Sequence, residues 1–167
     1  MYISFVFAAI FIGYSIGMAP PIGYNYGAKN RSELHNILKK SWTSMGVLGI
    51  AMFTLSLSLS VPFAHLFGHG ETDLINLIIQ ASIIYSFTYL ALGYSMFTSS
   101  FFTALNNGAV SAIISLCRTL IFQIGFAFLF PILFGDASIW WALTAGELLN
   151  VGLGTIFLAL NRKRYGY

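Results

Sequence analysis

Residues 74–117 decide the fold class of this chain. They read LINLIIQASIIYSFTYLALGYSMFTSSFFTALNNGAVSAIISLC and contain no Asp, Glu, Lys, Arg or His. A helix needs about 20 mostly apolar residues to cross the hydrocarbon core of a bilayer, and this stretch exceeds that length. Lipid offers no partner to backbone N–H and C=O groups, so a spanning segment must be a helix or part of a closed barrel. Barrel strands alternate apolar and polar residues, and only residues 55–60 do so, so helices are predicted.

The composition extends this prediction to the whole chain. Of the 167 residues, 57% are hydrophobic and 8% are charged, whereas soluble domains carry roughly 25% charged residues. Charged residues, glycine and proline separate the apolar segments, each about 33 Å long or longer at 1.5 Å per residue. We therefore expect an all-α integral membrane protein without a soluble domain. Five transmembrane helices are predicted, at residues 2–23, 42–64, 74–96, 109–133 and 139–160.

The charged residues predict the orientation in the membrane, because positive side chains favour the cytoplasmic face. The segment after the first span and the C-terminal tail are basic, whereas the connections after the second and fourth spans hold acids without Lys or Arg. We expect a multi-pass protein of the cell inner (cytoplasmic) membrane, with its N-terminus outside and its C-terminus cytoplasmic. The residues concerned are Lys29, Arg31, Lys39, Lys40, Arg162, Lys163 and Arg164 inside, and Glu71, Asp73 and Asp136 outside.

The predicted partner of the apolar spans is the lipid bilayer. Nucleic acid is not a predicted partner, because the cations behind the net charge of +3 lie in short runs between apolar segments and form no basic face. Residues 30–41 are expected to form a short amphipathic lead along the membrane surface into the second span.

The beginning of the sequence is unusual for a complete membrane protein. Met1 opens directly into an apolar segment that the charge pattern places outside, and the predicted number of spans is odd. Both features are natural if further helices precede this segment. A fragment or a truncated reading frame is therefore expected.

Signatures of catalysis are missing from the sequence. It has no H-E-x-x-H, G-x-S-x-G or G-x-x-x-x-G-K-[ST] pattern, which mark metalloproteases, elbow-type hydrolases and P-loop ATPases. His65 and His69 have a spacing that suits a metal on a helix, but Gly68 and Gly70 favour a turn there. Cys117 is a single cysteine in an apolar run, typical of a small buried residue. We predict neither enzyme activity nor a bound metal or cofactor.

Two ionisable residues lie inside predicted spans, where charges are rare and normally paired or functional. Arg118 lies in the cytoplasmic third of the fourth span, where its long side chain is expected to reach the interface or to bond loop carbonyls. Glu147 lies about 12 Å into the fifth span, and its side chain is too short to reach the interface. We therefore expect Glu147 to face the interior of the helix bundle.

A polar stripe accompanies Glu147 on the fifth span. Its members recur at intervals of three or four residues, which places them on one helix face. They are Trp140, Thr144, Glu147, Asn150 and Gly154.

A second polar pattern, Gln80, Ser82, Ser86, Tyr89 and Gly93, lies in the third span. Helix packing is the alternative interpretation of these residues, as it is for the G-x-x-x-G pattern at residues 13–17. The aromatic residues, 17% of the chain, are expected at the interfaces, at Trp42, Trp140 and Trp141, facing lipid, or around a pocket for flat cations. The candidate substrate or cation pathway consists of Glu147, Asn150, Thr144, Gln80 and Arg118.

Residues 20–30, which read PPIGYNYGAKN, resemble the multidrug and toxic compound extrusion (MATE) family. A P-x-x-G-x-N-x-G-A-x-x run closes a helix at the cytoplasmic side in that family, and its turn is similar to Pro21, Gly23, Asn25, Gly27 and Ala28 here. The similarity continues along the chain through residues 102–108, Arg118, Pro131, Gly135, residues 139–142 and Glu147.

The resemblance implies a fold of twelve helices in two lobes, built as parallel repeats. The five spans would correspond to helices eight to twelve, an incomplete second lobe. The implied function is part of a secondary active multidrug efflux transporter, an antiporter that exports lipophilic or cationic xenobiotics in exchange for Na⁺ or H⁺ as coupling ion. The cation-binding acids of the family's first lobe have no counterpart here, and the tenth-helix acid of one branch is also absent, which leaves Glu147 as the buried acid.

Three other expectations accompany this interpretation. The fragment alone is expected to be inactive and to need the missing N-terminal lobe as a partner. A lipid-linked oligosaccharide flippase of the same superfamily is an alternative, although such cavities carry more cations than Arg118 alone. A membrane assembly subunit that transports nothing is the other alternative, and it predicts no polar stripe facing a cavity.

Overall fold

The computed structural model describes residues 2–68, 71–135 and 138–167, and within these ranges every regular element is helical. The elements are α1 (Tyr2–Gly27), α2 (Arg31–Phe67), α3 (Thr72–Ser86), α4 (Tyr89–Ala104), α5 (Gly108–Leu116), a π-helical segment (Cys117–Ile124), α6 (Gly125–Phe134) and α7 (Ile139–Tyr165).

Four helical stretches are long and apolar enough to cross a membrane. They are Ser4–Gly27, Arg31–Phe67, Gly108–Phe134 and Ile139–Tyr165. The third of these joins α5, the π-helical segment and α6 into one span. α3 and α4 meet the same criterion together, although they are bent by 47° at their junction. The chain is therefore an all-helical, multi-pass membrane protein, as its sequence predicts.

The bent pair α3–α4 runs from one end of the bundle to the other. It begins beside the end of α2, where a Cβ added to Gly68 would collide with the Ile75 side chain. It finishes beside the end of α1, where a Cβ added to Gly23 would lie 3.6 Å from the carbonyl oxygen of the last residue of α4. The rings of Tyr26 and Tyr165 are 5.5 Å apart, so α7 ends where α1 ends. The chain can return to the end of α1 only after an even number of crossings. α2, α5–α6 and α7 are three crossings, so α3–α4 is the fourth.

The third span differs from its prediction in length and shape. The sequence predicts one helix at residues 74–96, whereas α4 continues to Ala104 and the helix breaks at Phe87 and Thr88. Glycine and proline, the usual causes of a sharp kink, are absent from residues 84–90. Another cause must therefore act at this position.

A threonine of α7 lies against the break. The N–H of Thr88 donates to the carbonyl of Tyr85 at 2.9 Å, and the Ile84 carbonyl accepts from the Phe87 N–H at 3.3 Å, so both bonds span three residues and not the four of an α-helix. Thr144 Oγ1 donates to that Ile84 oxygen at 3.5 Å and lies 2.9 Å from Thr88 Oγ1. A side chain inserted beside an interrupted bond ladder is a recognised cause of a kink.

The connection between α1 and α2 is a tight turn. Lys29 has a φ of 56°, and the side chain of Asn30 accepts a hydrogen bond from the Glu33 N–H at 3.3 Å, which caps α2. α2 then continues for 37 residues, or about 55 Å. Residues 31–41, predicted as an amphipathic lead into the second span, are the first turns of this continuous helix, and Leu34 is buried.

α4 is the central helix of the bundle and packs against α1, α2, α5 and α7. The buried core between α1 and α4 is aromatic and includes Phe7, Phe11, Phe97, Phe101 and Phe102. In the most apolar part of the α5–α6 span only 6% of the residues are buried, against 33% for α7. α7 is therefore an inner helix, and α5–α6 lies at the edge of the bundle with an apolar outer face.

Close helix approach occurs at glycines other than those of the G-x-x-x-G pattern. A Cβ added to Gly13 or Gly17 would meet nothing within 4 Å, so the packing interpretation of residues 13–17 is wrong within this bundle. A Cβ on Gly49 would lie 3.0 Å from a backbone oxygen of α4, and one on Gly93 would lie 2.7 Å from the Phe11 ring.

Candidate functional site

The buried acid of α7 forms an ion pair with the neighbouring span. Glu147 is 0% exposed, and its Oε1 accepts a hydrogen bond from Arg118 Nε at 2.7 Å. Gln123 Nε2 donates to the same oxygen at 3.1 Å. A charge in an apolar environment requires such partners, because ionised groups lose most of their hydration there.

The contact between Arg118 and Glu147 corrects the interpretation that Arg118 reaches the interface. Its side chain is 21% exposed, and its guanidinium bonds a carboxylate inside the bundle. The reason is that α7 presents an acid within reach, 29 residues further along the chain. Pairing with that acid neutralises both groups at the same depth.

The π-helical segment explains why Arg118 and Gln123 reach one carboxylate. Residues five apart in an α-helix point in directions about 140° apart, at 3.6 residues per turn. A π-helix bonds residue i to residue i+5, so residues five apart lie on the same side of the helix. The segment Cys117–Ile124 contains both donors. Its wider winding therefore aims both side chains at α7.

Three further polar atoms of this cluster have no hydrogen-bond partner in the described part of the chain. They are Glu147 Oε2, Asn150 Oδ1 and Asn150 Nδ2. The two residues lie three apart on α7 and are both 0% exposed. Buried polar groups are normally bonded. A cation would offer a partner to the two oxygens, and a water molecule or a polar ligand would offer one to all three atoms.

α4 supplies further polar contacts to the same face of α7. Ser95 Oγ donates to the Glu147 carbonyl at 3.5 Å, and Thr98 lies 3.1 Å from the position of a Cβ added to Gly154. Thr144 contacts Thr88 at the α3–α4 break. The polar stripe of α7 thus faces α4 and the π-helical segment, and the term Glu147 cluster is used below for Arg118, Gln123, Glu147 and Asn150.

The structure does not bring all predicted pathway residues together. Thr144 is buried one turn from Glu147, but Gln80 is exposed on α3, and the hydrogen bonds of the Glu147 cluster to described residues do not include it. Trp140 is only partly buried. His65 lies in the last turn of α2, and His69, its proposed companion, lies outside the described residues, as does Asp136. Cys117 is half-buried at the first position of the π-helical segment.

Sequence reasoning missed Gln123, Thr88 and Ser95 as members of the polar face. A glutamine in an apolar span was an available signal for Gln123. The helical period used to group residues on one face separates Gln123 from Arg118, because the π-helical winding is not visible in the sequence. Thr88 and Ser95 are small polar residues of the kind that most often serve packing in membrane helices.

The turn that follows α1 has the geometry of a closed helix end. Asn25 Nδ2 donates to the Pro21 carbonyl at 2.9 Å, and the Ala28 N–H donates to the Tyr24 carbonyl at 2.9 Å. Gly23 sits close to the end of α4, whereas a Cβ on Gly27 would meet nothing within 4 Å. The motif residues Pro21, Gly23, Asn25, Gly27 and Ala28 therefore form the end of α1 and its exit into the turn.

Comparison with known protein families matches the MatE family over residues 1–129. No curated protein and no solved structure matches the chain. The matched residues include the turn after α1, the bent pair α3–α4 and both donors of the Glu147 cluster, whereas Glu147 and Asn150 follow the matched region. Because the match covers 129 of the 167 residues, the chain belongs to the MatE family of transporters.

Proposed function

We propose that this chain is part of a secondary active multidrug efflux transporter, which exports lipophilic or cationic compounds in exchange for Na⁺ or H⁺. The observation that carries the proposal is the Glu147 cluster, a buried ion pair with an unpartnered carboxylate oxygen inside a transporter-family bundle. Intramembrane acids commonly mark ion pathways.

The geometry supports a coupling role for Glu147 in a specific way. Arg118 and Gln123 both bond Oε1, while Oε2 and the Asn150 amide remain free of partners in the described residues. A proton or Na⁺ that binds the carboxylate competes with the Arg118 guanidinium for the same negative charge. Ion binding would therefore weaken the contact between α7 and the π-helical segment, and ion release would restore it.

Transport in this proposal requires a second lobe. Alternating access in repeat-built transporters is a rocking of one bundle against another around a central site. The five spans described here form one such bundle, with α4 at its centre. The chain alone is expected to be inactive, and a second lobe is its proposed partner.

The proposed location is the cell inner membrane, with the connection after α1 and the end of α7 in the cytoplasm. These two regions lie at the same end of the bundle, since Tyr26 and Tyr165 are in contact. They carry Lys29, Arg31 and residues 162–164, which are basic. The positive-inside rule places such an end in the cytoplasm.

Efflux of a fluorescent lipophilic cation tests the role of the acid. Glu147→Gln in the transporter assembled from this chain and its second lobe removes the charge and keeps the shape of the side chain. We expect efflux that no longer responds to Na⁺ or to external pH. Glu71→Gln is the matched control, because Glu71 is exposed before α3. Efflux by Glu147→Gln with the normal dependence on both ions would reject the coupling role.

A further inference from the structure

A basic surface lies at the end of the bundle where α1 ends, α2 begins and α7 ends. It contains two adjoining cavities of about 660 Å³ and 580 Å³. Arg31 lines both of them and stands between the other cations. The cations that line the first cavity are Arg31, Arg162 and Lys163, beside His35, and those that line the second are Lys29, Arg31 and Arg164.

The protein balances the positive charge of this surface only in part. Glu33 is the only acid in residues 25–40 and 161–167, and its Oε1 accepts a hydrogen bond from Asn36. In the described part of the chain the only ion pair between side chains is that of Arg118 with Glu147, so none of the five Lys and Arg residues of the cavities has a carboxylate partner. Such a concentration of cations attracts an anion.

The C-terminal residues hold the cavity walls in place. Gly166 adopts a left-handed conformation, with a φ of 76°, and a Cβ there would collide with the stem of the Arg31 side chain. Tyr167 packs edge-on against Phe101, and its hydroxyl donates to the Leu158 carbonyl at 3.1 Å. Burial raises the pKa of the Tyr167 phenol. Arg31 is thus positioned by packing rather than by an ion pair.

The first cavity combines two features that favour a phosphate group. Arginine side chains match the geometry of phosphate oxygens. Ser32 and Asn36 add neutral donors to the lining. Tyr167 lines the first cavity and Tyr26 and Tyr165 line the second, and tyrosine prefers the boundary between lipid and water.

We propose that this surface binds the phosphate headgroup of an anionic phospholipid from the leaflet at this end of the bundle. Clusters of four or more Lys and Arg directly beside membrane helices attract anionic lipids, and here five of them surround cavities at the ends of three spans. The bound headgroup would join the beginning of α2 to the end of α7. The proposal does not depend on the transported compound or on the coupling ion.

Lipid titration of the purified 167-residue chain, followed by native mass spectrometry, tests this site. The probes are dioleoyl-phosphatidylglycerol and dioleoyl-phosphatidylcholine in detergent. We expect preferential binding of phosphatidylglycerol, and an affinity roughly thirtyfold lower for the double variant Arg31→Gln and Arg162→Gln. The matched control is Lys39→Gln and Lys40→Gln, which removes two charges from exposed positions of α2 outside both cavities. Helix content by circular dichroism verifies that both variants are folded.

Three results would overturn the proposal. Equal losses in the two double variants would indicate attraction to general surface charge rather than to the cavities. Equal binding of the two lipids would show that the negative headgroup charge is not recognised. Displacement of phosphatidylglycerol by an excess of inorganic phosphate would identify a soluble anion as the occupant.

Discussion

At the residue scale, the central feature is the pairing of Arg118 with Glu147 in an apolar bundle. Each of these charges alone is unfavourable at its depth, and each becomes tolerable because the other lies 2.7 Å away. Gln123 adds a neutral donor to the same oxygen. The pair is therefore expected to contribute to stability only as a unit, since removing one partner leaves the other uncompensated.

A double-mutant cycle tests that expectation. Arg118→Met or Glu147→Leu alone should lower the free energy of unfolding by roughly 3 kcal/mol, because each leaves a buried charge without its partner. The double variant should lose much less than the sum, because two apolar side chains then face each other. The measurement is denaturant unfolding in mixed micelles. Additive losses would mean that the two residues do not interact in the folded protein.

At the element scale, the bend between α3 and α4 and the π-helical segment shape the bundle. Both depart from regular helix geometry, and both contact α7. Thr144 contacts the bend, and Glu147, one turn further on, contacts the π-helical segment. α7 thus contacts both irregular elements through neighbouring residues of one face. This makes it the organising helix of this half of the bundle.

The contribution of Thr144 to the bend can be measured directly. Thr144→Val keeps the shape of the side chain but removes the hydroxyl that contacts Thr88 and the Ile84 carbonyl. Because the buried Thr88 hydroxyl loses its partner, the free energy of unfolding should fall by about 1–2 kcal/mol. Thr155→Val is the matched control, since Thr155 is exposed and bonds only Val151 of its own helix. A loss in the control equal to that of Thr144→Val would argue against a special role of the bend.

At the scale of the whole molecule, the number of crossings follows from which helix ends meet. The ends of α1, α4 and α7 lie together, so the chain returns to one side after four further crossings. If α3 and α4 instead formed a re-entrant loop, the end of α7 would lie on the same side as the beginning of α3. With five crossings, Lys163 and Glu71 lie on opposite sides of the membrane. With a re-entrant loop, they lie on the same side.

Labelling with a membrane-impermeant maleimide distinguishes these topologies. In a Cys117→Ser background, Glu71→Cys should be labelled in intact cells, whereas Lys163→Cys should be labelled only after the membrane is permeabilised. Both positions are exposed, so differences in labelling report on sidedness rather than on burial. Labelling of both positions from outside would contradict the five-crossing topology, and labelling of Lys163→Cys alone would reverse the proposed orientation.

The sequence alone was enough to predict a membrane protein made of helices, most of its spans and the burial of Glu147 inside the bundle. These properties depend on the amount of apolar surface in each segment and on the cost of leaving backbone or charged groups unbonded in lipid. These properties are local, so the residues of each segment determine them without the rest of the fold. The resemblance at residues 20–30 depends likewise on a continuous run, and the family match covers it.

Tertiary structure alone decided which helix face meets which. The Arg118–Glu147 pair joins residues 29 apart, and its formation depends on the rotation of two helices about their axes. The π-helical winding changes that rotation and brings Gln123 into the site, whereas the regular helical period points it elsewhere. The exposed position of Gln80 and the bend at Phe87 and Thr88 also depend on how the helices pack against one another. Contacts between helices arise from the packing of the whole bundle, so they cannot be predicted from the sequence of any one segment.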